Sequence, residues 1–208
     1  MTHLCLALLV ILWPLNAAAS PESRIAELYA RGLDGEKQAV IDCIAALESK
    51  LTQQPNDQVA RVYLGSAYTL RSRDLGLGKA KLDALRKGIA LMDEAAAGAP
   101  ENAPVLLTRA VTNQALPVFL GRRKVARAQL EELVTMVERE PEKLKPSDRQ
   151  LLYLNAGQAA QHAGDRARAV ELWQRGLTIK ADARLTQEIR TAMAPPYCGR
   201  GLCAPIPL

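Results

Sequence analysis

The chain has 208 residues, of which 49% are apolar and only 4% aromatic, and its formal net charge is +5. That length suits a single domain, whose core must be built from small contacts between helices because Ala and Leu supply most of the apolar content. With only two histidines, most nucleophile–base pairs and metal centres are excluded. The positive charge allows an acidic partner or an anionic surface without requiring one.

An apolar run from Leu4 to Leu15 opens the chain, and the small residues at 16–20 follow it. This order is typical of a secretory signal peptide, with cleavage after Ala19. The run is shorter than the ~20 apolar residues that span a bilayer, and Pro14 would interrupt a helix near its end. We predict a signal peptide over 1–19 and a periplasmic or secreted mature chain without a transmembrane segment.

Three cysteines remain after this cleavage. Cys198 and Cys203 flank a short loop with two glycines, so in an oxidising compartment they are expected to form a disulfide within a Pro-rich tail at 195–208. Cys43 lies in an apolar helical stretch and is expected to be a small buried core residue.

From Ile25 to Met193, apolar residues return at intervals of three and four, and Pro and Gly interrupt them. Strand patterns are nearly absent, so the sequence predicts an all-α fold. The predicted helices lie near 22–31, 36–53, 57–72, 79–97, 102–115, 123–139, 148–163, 166–180 and 183–193.

The segment 151–177 contains the clearest repeated unit. It resembles the tetratricopeptide repeat (TPR), in which two antiparallel helices of ~34 residues cross at small residues. A Gly-Asp turn at 164–165 separates its two helices. The matching residues are Tyr153, Ala156, Gly157 and Ala160 on the first helix, and Ala169, Trp173, Gly176 and Leu177 on the second. A mid-helix glycine costs ~1 kcal/mol against Ala, so Gly157 and Gly176 predict close approach of a neighbouring helix.

Earlier units match the repeat less completely. One begins at 63–68 and continues through Gly88, Met92, Ala95 and Pro100, but it has about eleven residues more than the family's tight turn allows. The resemblance implies stacked antiparallel helical hairpins over 20–194, forming a right-handed α-solenoid. A polar C-terminal helix at 181–194 would cap the stack.

The resemblance also implies a concave groove lined by the first helix of each unit. Arg109 would be its one fixed cation, able to bind a carboxylate of an extended peptide. Ordinary surface polar residues are the alternative for this set. The predicted groove residues are Ser66, Thr69, Arg109, Thr112, Asn113, Gln158, Gln161 and His162.

Cations cluster where the two helices of successive units join, and such connections stack along one edge of a repeat array. This basic edge could meet an acidic protein, a polysaccharide or lipid headgroups, or it could be a solvated face. Nucleic acid is not expected, because aromatic residues are not interleaved with the cations. The basic edge comprises Arg71, Arg73, Lys79, Lys81, Arg122, Arg123, Lys124 and Arg127.

The sequence contains no phosphate-binding glycine loop, dinucleotide fingerprint, zinc-type cysteine pattern or haem-attachment motif. We therefore predict a protein-binding scaffold of the cell envelope rather than an enzyme, with no cofactor and no metal. Two alternatives remain open: a thiol-active accessory protein that uses Cys198 and Cys203, and a structural subunit that associates with copies of itself.

Overall fold

The computed structural model describes residues 20–194, and this part of the chain folds into nine α-helices without a strand. The predicted signal peptide at 1–19 and the tail at 195–208, with its proposed Cys198–Cys203 disulfide, lie outside the described residues. The helices are α1 (Pro21–Leu33), α2 (Lys37–Gln53), α3 (Gln58–Asp74), α4 (Lys79–Gly98), α5 (Ala103–Ala115), α6 (Arg122–Arg139), α7 (Pro146–His162), α8 (Arg166–Ile179) and α9 (Ala183–Met193).

Several helices begin at side chains that satisfy the free backbone N–H groups of a first turn. Asp57, Asn102 and Asp165 each accept a hydrogen bond from the backbone N–H three residues ahead, starting α3, α5 and α8. Such caps contribute about 1 kcal/mol each. Since two of these caps follow Pro55 and Pro100 closely, the turns that end one unit also start the next.

Consecutive helices pack as antiparallel hairpins, and the hairpins stack in two layers. The odd-numbered helices contact one another in order, α1 on α3, α3 on α5, α5 on α7 and α7 on α9. We call this row the inner layer, and the row of α2, α4, α6 and α8 the outer layer. The prediction of an all-α fold of stacked hairpins is confirmed.

The hydrophobic core follows this stack. Its largest part joins α5 to α9, with Trp173 and Leu172 fully buried, and a second part joins α1, α2 and α3. Cys43 lies in the second part, as predicted, and burial raises the pKa of its thiol to about 11. A smaller cluster around Met92 fills the space between α3, α4 and α5.

Glycines mark the closest helix crossings. Between α3 and α4, a Cβ added to Gly65 would lie 2.6 Å from the carbonyl oxygen of Gly88, and a Cβ added to Gly88 would lie 2.6 Å from that of Gly65. Between α7 and α8, a Cβ on Gly157 would overlap the indole of Trp173. The prediction that a neighbouring helix approaches closely at the mid-helix glycines is confirmed.

The α3–α4 hairpin is longer than the α7–α8 hairpin. Helix α3 runs nine residues beyond Gly65, to Asp74, whereas α7 runs five residues beyond Gly157, to His162. Helix α4 starts thirteen residues before Met92, and α8 starts seven before Trp173. The extra residues expected between the helices of the early unit therefore lie mostly in the helices themselves.

Helix α9 covers the open end of the stack through Leu185 and Ile189, which are buried, while most of its other side chains are exposed. Ile189 reaches the backbone at Gly176, where its Cδ1 would lie 2.8 Å from an added Cβ. Among the helices of 20–194, none combines the length and the apolar content that crossing a membrane requires.

Candidate functional site

Three neighbouring helices of the inner layer are joined by a chain of hydroxyl groups. The Tyr29 hydroxyl on α1 lies 2.7 Å from Ser66 Oγ on α3, which lies 2.9 Å from Thr112 Oγ1 on α5. The Tyr29 ring also stands edge-on to Tyr63, with 5.0 Å between ring centroids. Burial raises the pKa of Tyr29 to about 12, so its hydroxyl stays protonated and can donate throughout the neutral range.

The inner layer continues from α5 to α7 through an amide and an imidazole. Gln114 Nε2 and His162 Nδ1 lie 3.2 Å apart, which brings the C-terminal ends of the two helices together. Gln158 precedes His162 by one helical turn, so both lie on the same side of α7. Gln158 is half-buried and Gln161 is exposed, and within the described residues neither side chain has a hydrogen-bond partner.

Ser66 is hydrogen-bonded to Thr112, and Gln158 and Gln161 lie within about one turn of His162, so five of the eight predicted groove residues follow one another along the inner layer. We call the surface along which they lie the inner face; it comprises Tyr29, Ser66, Thr112, Gln158, Gln161 and His162. Ser66 is itself buried between its two hydroxyl partners. The part of the inner face that is open to a ligand is the α5–α7 half.

Arg109 requires a correction, because its guanidinium is used within the protein. Its Nε and NH2 bind Asp93 Oδ1 at 2.8 and 2.7 Å, and its NH1 donates to Gln129 Oε1 at 3.0 Å. Asp93 is on α4 and Gln129 on α6, so Arg109 points into the outer layer. It offers no free cation to a peptide on the inner face.

Asn113 and Thr69 also point away from the inner face. Asn113 follows Arg109 by one helical turn, is fully buried, and accepts a hydrogen bond from Arg122 Nε at 3.2 Å. The methyl group of Thr69 packs at the α3–α4 crossing, 2.9 Å from where a Cβ on Gly88 would stand. The sequence spacing predicted that these two side chains face the groove, whereas helix packing turns them toward the neighbouring outer-layer helices.

Sequence reasoning missed Tyr29 and Gln114. Groove residues were predicted only from units that match the repeat, and helix α1 precedes the first of them. The one available signal was a tyrosine four residues after Ile25 on an apolar helix face, which indicates a side chain with an apolar body and a polar tip at a helix contact.

Two members of the basic edge have partners. Arg122 binds Asp93 at 2.5 Å, beside Arg109, and Arg73 donates from NH2 to the Gly32 carbonyl at 2.8 Å. The remaining members form no ion pair with any acidic group of residues 20–194. These six free cations are Arg71, Lys79, Lys81, Arg123, Lys124 and Arg127.

Over the same described part of the chain, no group of three or more His, Cys, Asp and Glu side chains lies close enough to hold a metal ion. The inner face has one imidazole and no carboxylate, so it presents hydrogen-bonding groups rather than an acid–base pair.

The fold is similar to a solved crystal structure described as a thermophilic TPR protein from Thermus thermophilus. The TM-score is 0.61 at 16% sequence identity, and the match covers 84% of this chain and 82% of that chain. No protein-family model matches the sequence, and no curated protein matches it. At this identity the likeness shows the fold: a divergent TPR-like stack of helical hairpins, as the resemblance in 151–177 predicted.

Proposed function

Starting from a chain with a divergent TPR-like fold, we propose that this protein is an exported scaffold of the cell envelope that holds a partner protein on its inner face. The fold supports the general role, because stacked hairpins leave an extended surface that suits binding to another polypeptide. The apolar run from Leu4 to Leu15, followed by small residues, supports export.

The observation that carries the proposal is the pair of glutamines on α7 without partners among the described residues. Gln158 and Gln161 each present one carbonyl acceptor and two N–H donors. Those groups match the alternating C=O and N–H groups of an extended peptide backbone. Thr112 and His162 lie on the same half of the inner face and extend the polar surface toward α5.

The expected ligand is an extended segment of neutral character. Since Arg109 is held by Asp93 and Gln129, binding does not depend on a carboxylate of the partner. Specificity would come from hydrogen bonds to the main chain and from the shape of the layer between α5 and α7.

Site-specific photo-crosslinking tests this function. A photoreactive amino acid is placed at Gln161 of the full chain, or at Gln174 as a matched control, since Gln174 is an exposed glutamine of outer-layer helix α8. Both variants are expressed in cells and irradiated. We expect a discrete protein adduct from position 161 in the envelope or secreted fraction and none from 174. Adducts of equal yield from both positions, or none from 161, would contradict the proposal.

A further inference from the structure

The turns that join an inner-layer helix to its outer-layer partner lie along one edge of the molecule. The inner-layer helices run parallel, because each is followed by an outer-layer helix that runs back. Contacts confirm this neighbourhood: Arg73 near the end of α3 reaches Gly32 at the end of α1, and Gln114 near the end of α5 reaches His162 at the end of α7. The basic edge lies on this side of the stack.

Large apolar side chains protrude from the same edge. Leu77 is 98% exposed in the α3–α4 connection, and in the α5–α6 connection Phe119 is 81% and Val118 66% exposed. Eight large apolar side chains are exposed in residues 20–194, and six of them lie at this edge: one at the end of α1 and five in these two connections or the helix ends beside them. Those six are Leu33, Leu77, Leu82, Val118, Phe119 and Val125.

In the two connections that carry these apolar tips, cations outnumber carboxylates. Between Leu116 and Ala128 the chain has four Lys or Arg residues and no Asp or Glu. Between Arg71 and Asp83 it has four cations and two carboxylates: the side chain of Asp74 is only 6% exposed, and Asp83 is exposed. The segments 1–19 and 195–208 contain no Asp or Glu side chain that could neutralise the edge.

The longer hairpin carries part of this edge outward. Relative to the glycine crossings, α3 extends four residues further than α7, and α4 extends six residues further than α8. At 1.5 Å per residue, the tip of α3–α4 projects about 6–9 Å beyond the turn of α7–α8. Leu77 therefore stands at the end of a raised hairpin, where an extended surface can reach it.

We propose that this edge binds the surface of an anionic lipid bilayer. Leu77, Val118 and Phe119 would enter the headgroup region, and the six free cations would lie over lipid phosphates. Exposed apolar tips beside Lys and Arg are the composition that interfacial membrane binding uses. The tips stand on separate connections, and a fluid interface accepts them without a shaped pocket. None of the three apolar tips or six cations belongs to the inner face, although His162 of that face ends α7 on the same side of the stack. The two proposals are therefore tested with different residues.

Tryptophan fluorescence tests whether the edge enters the bilayer. In the full chain with Trp13→Phe, the buried Trp173 is the one remaining indole, and Phe119→Trp adds a second at the edge. Vesicles of equimolar phosphatidylglycerol and phosphatidylcholine should shift the emission of the indole at position 119 to the blue, and brominated acyl chains should quench that emission. Vesicles of phosphatidylcholine alone should do neither. The matched control is Val59→Trp, an exposed position in the first turn of α3, at the opposite edge.

Charge removal gives a second measurement on the same vesicles. Replacing Arg123, Lys124 and Arg127 together with Ser should lower the partition coefficient of the Phe119→Trp chain by about fivefold for each charge removed. A control triple, Arg24, Arg139 and Lys145 to Ser, removes the same charge from exposed positions at the opposite edge and should change it much less.

Three results would overturn the proposal. One is the absence of a blue shift or quenching of Phe119→Trp with anionic vesicles. Another is equal quenching of Val59→Trp, which would show that some other part of the chain brings the protein to the membrane. The third is a response to polyglutamate as strong as that to anionic vesicles, which would identify an acidic polypeptide as the partner of the edge. Failure of the photo-crosslink at Gln161 would leave this test unaffected.

Discussion

The α3–α4 and α7–α8 hairpins cross at glycine in equivalent places, but they differ in how the crossing is filled and in what lies beyond it. At α3–α4, Gly65 meets Gly88, so two backbones touch directly. At α7–α8, Gly157 meets the indole of Trp173, so a large side chain fills the gap. Past the crossing, the first hairpin continues to an exposed apolar tip, whereas the second closes in a tight turn at Gly164, where φ is +85°.

The comparison separates two structural roles within one repeat: the residues at the helix crossing and those at the end of the hairpin. Both crossings place a glycine of the first helix against the second helix, and this close contact determines that the helices pair. Beyond the crossing, Ala67 and Leu85 are still buried, but the end of the hairpin around Leu77 meets solvent and packs on nothing else in residues 20–194. Surfaces that distinguish this chain from other stacks of the same fold are therefore expected at the extended connections rather than at the crossings.

Truncating the residue that faces each glycine should show the largest effect. Trp173→Ala is expected to lower the free energy of unfolding by roughly 3–5 kcal/mol, because a fully buried indole is lost and the Leu154 carbonyl loses the hydrogen bond from Nε1. Met92→Ala, the matched change in α3–α4, should cost less, toward the lower end of roughly 2–5 kcal/mol, since its flexible thioether side chain makes no such bond. Urea unfolding followed by circular dichroism measures both. A larger loss for Met92→Ala would contradict the proposed difference between the crossings.

Adding a methyl group at a crossing should have the next largest effect. A Cβ at Gly88 would lie 2.6 Å from the Gly65 oxygen and 3.0 Å from the Thr69 nitrogen, both backbone atoms that cannot rotate away. Gly88→Ala is therefore expected to destabilise the protein by about 1–3 kcal/mol, even though alanine favours a helix.

The control for this change is Gly76→Ala in the α3–α4 connection, where an added Cβ meets nothing within 4 Å. Its unfolding midpoint should stay close to that of the unchanged protein. If Gly88→Ala were as stable as Gly76→Ala, the two helices would have to be further apart than the direct backbone contact requires.

Much of this fold could be predicted from the sequence, because helix packing requires apolar and small residues at regular intervals along the chain. The apolar interval from Ile25 onward predicted the helices, and Gly157 with Trp173 predicted a close crossing. The hairpin extensions could not be placed in this way. The surplus residues of the early unit fit either a long loop or long helices, and helical propensity alone does not choose between them.

The site was less predictable, because side-chain direction depends on contacts far away in the chain. Arg109 has the spacing of a groove residue, but Asp93, sixteen residues earlier on α4, draws its guanidinium to the outer layer. Tyr29 has no repeat signature and yet reaches Ser66, 37 residues later. Each polar side chain can find hydrogen-bond partners in either layer, and which partner it binds is determined only when the hairpins are stacked.

The smallest expected effect concerns the chain of hydroxyl groups that joins α1, α3 and α5. Tyr29→Phe removes the hydroxyl bound to Ser66 and should lower the free energy of unfolding by about 1 kcal/mol, because Ser66 keeps its second bond to Thr112. Tyr63→Phe is the matched control, since among the described residues the Tyr63 hydroxyl has no hydrogen-bond partner. Its cost should be smaller.

The pH dependence of that difference identifies the hydroxyl itself as the cause. Burial raises the pKa of Tyr29 from 10.0 to about 12, so the folded state holds this proton more tightly than the unfolded state. Its contribution is complete below pH 10 and is lost as the pH rises through 12. The stability difference between the unchanged protein and Tyr29→Phe should therefore shrink from pH 9 to pH 12 in urea titrations. A Tyr29→Phe difference that stayed constant over this range would mean that Tyr29 acts through its ring packing on Tyr63 and not through the hydroxyl chain.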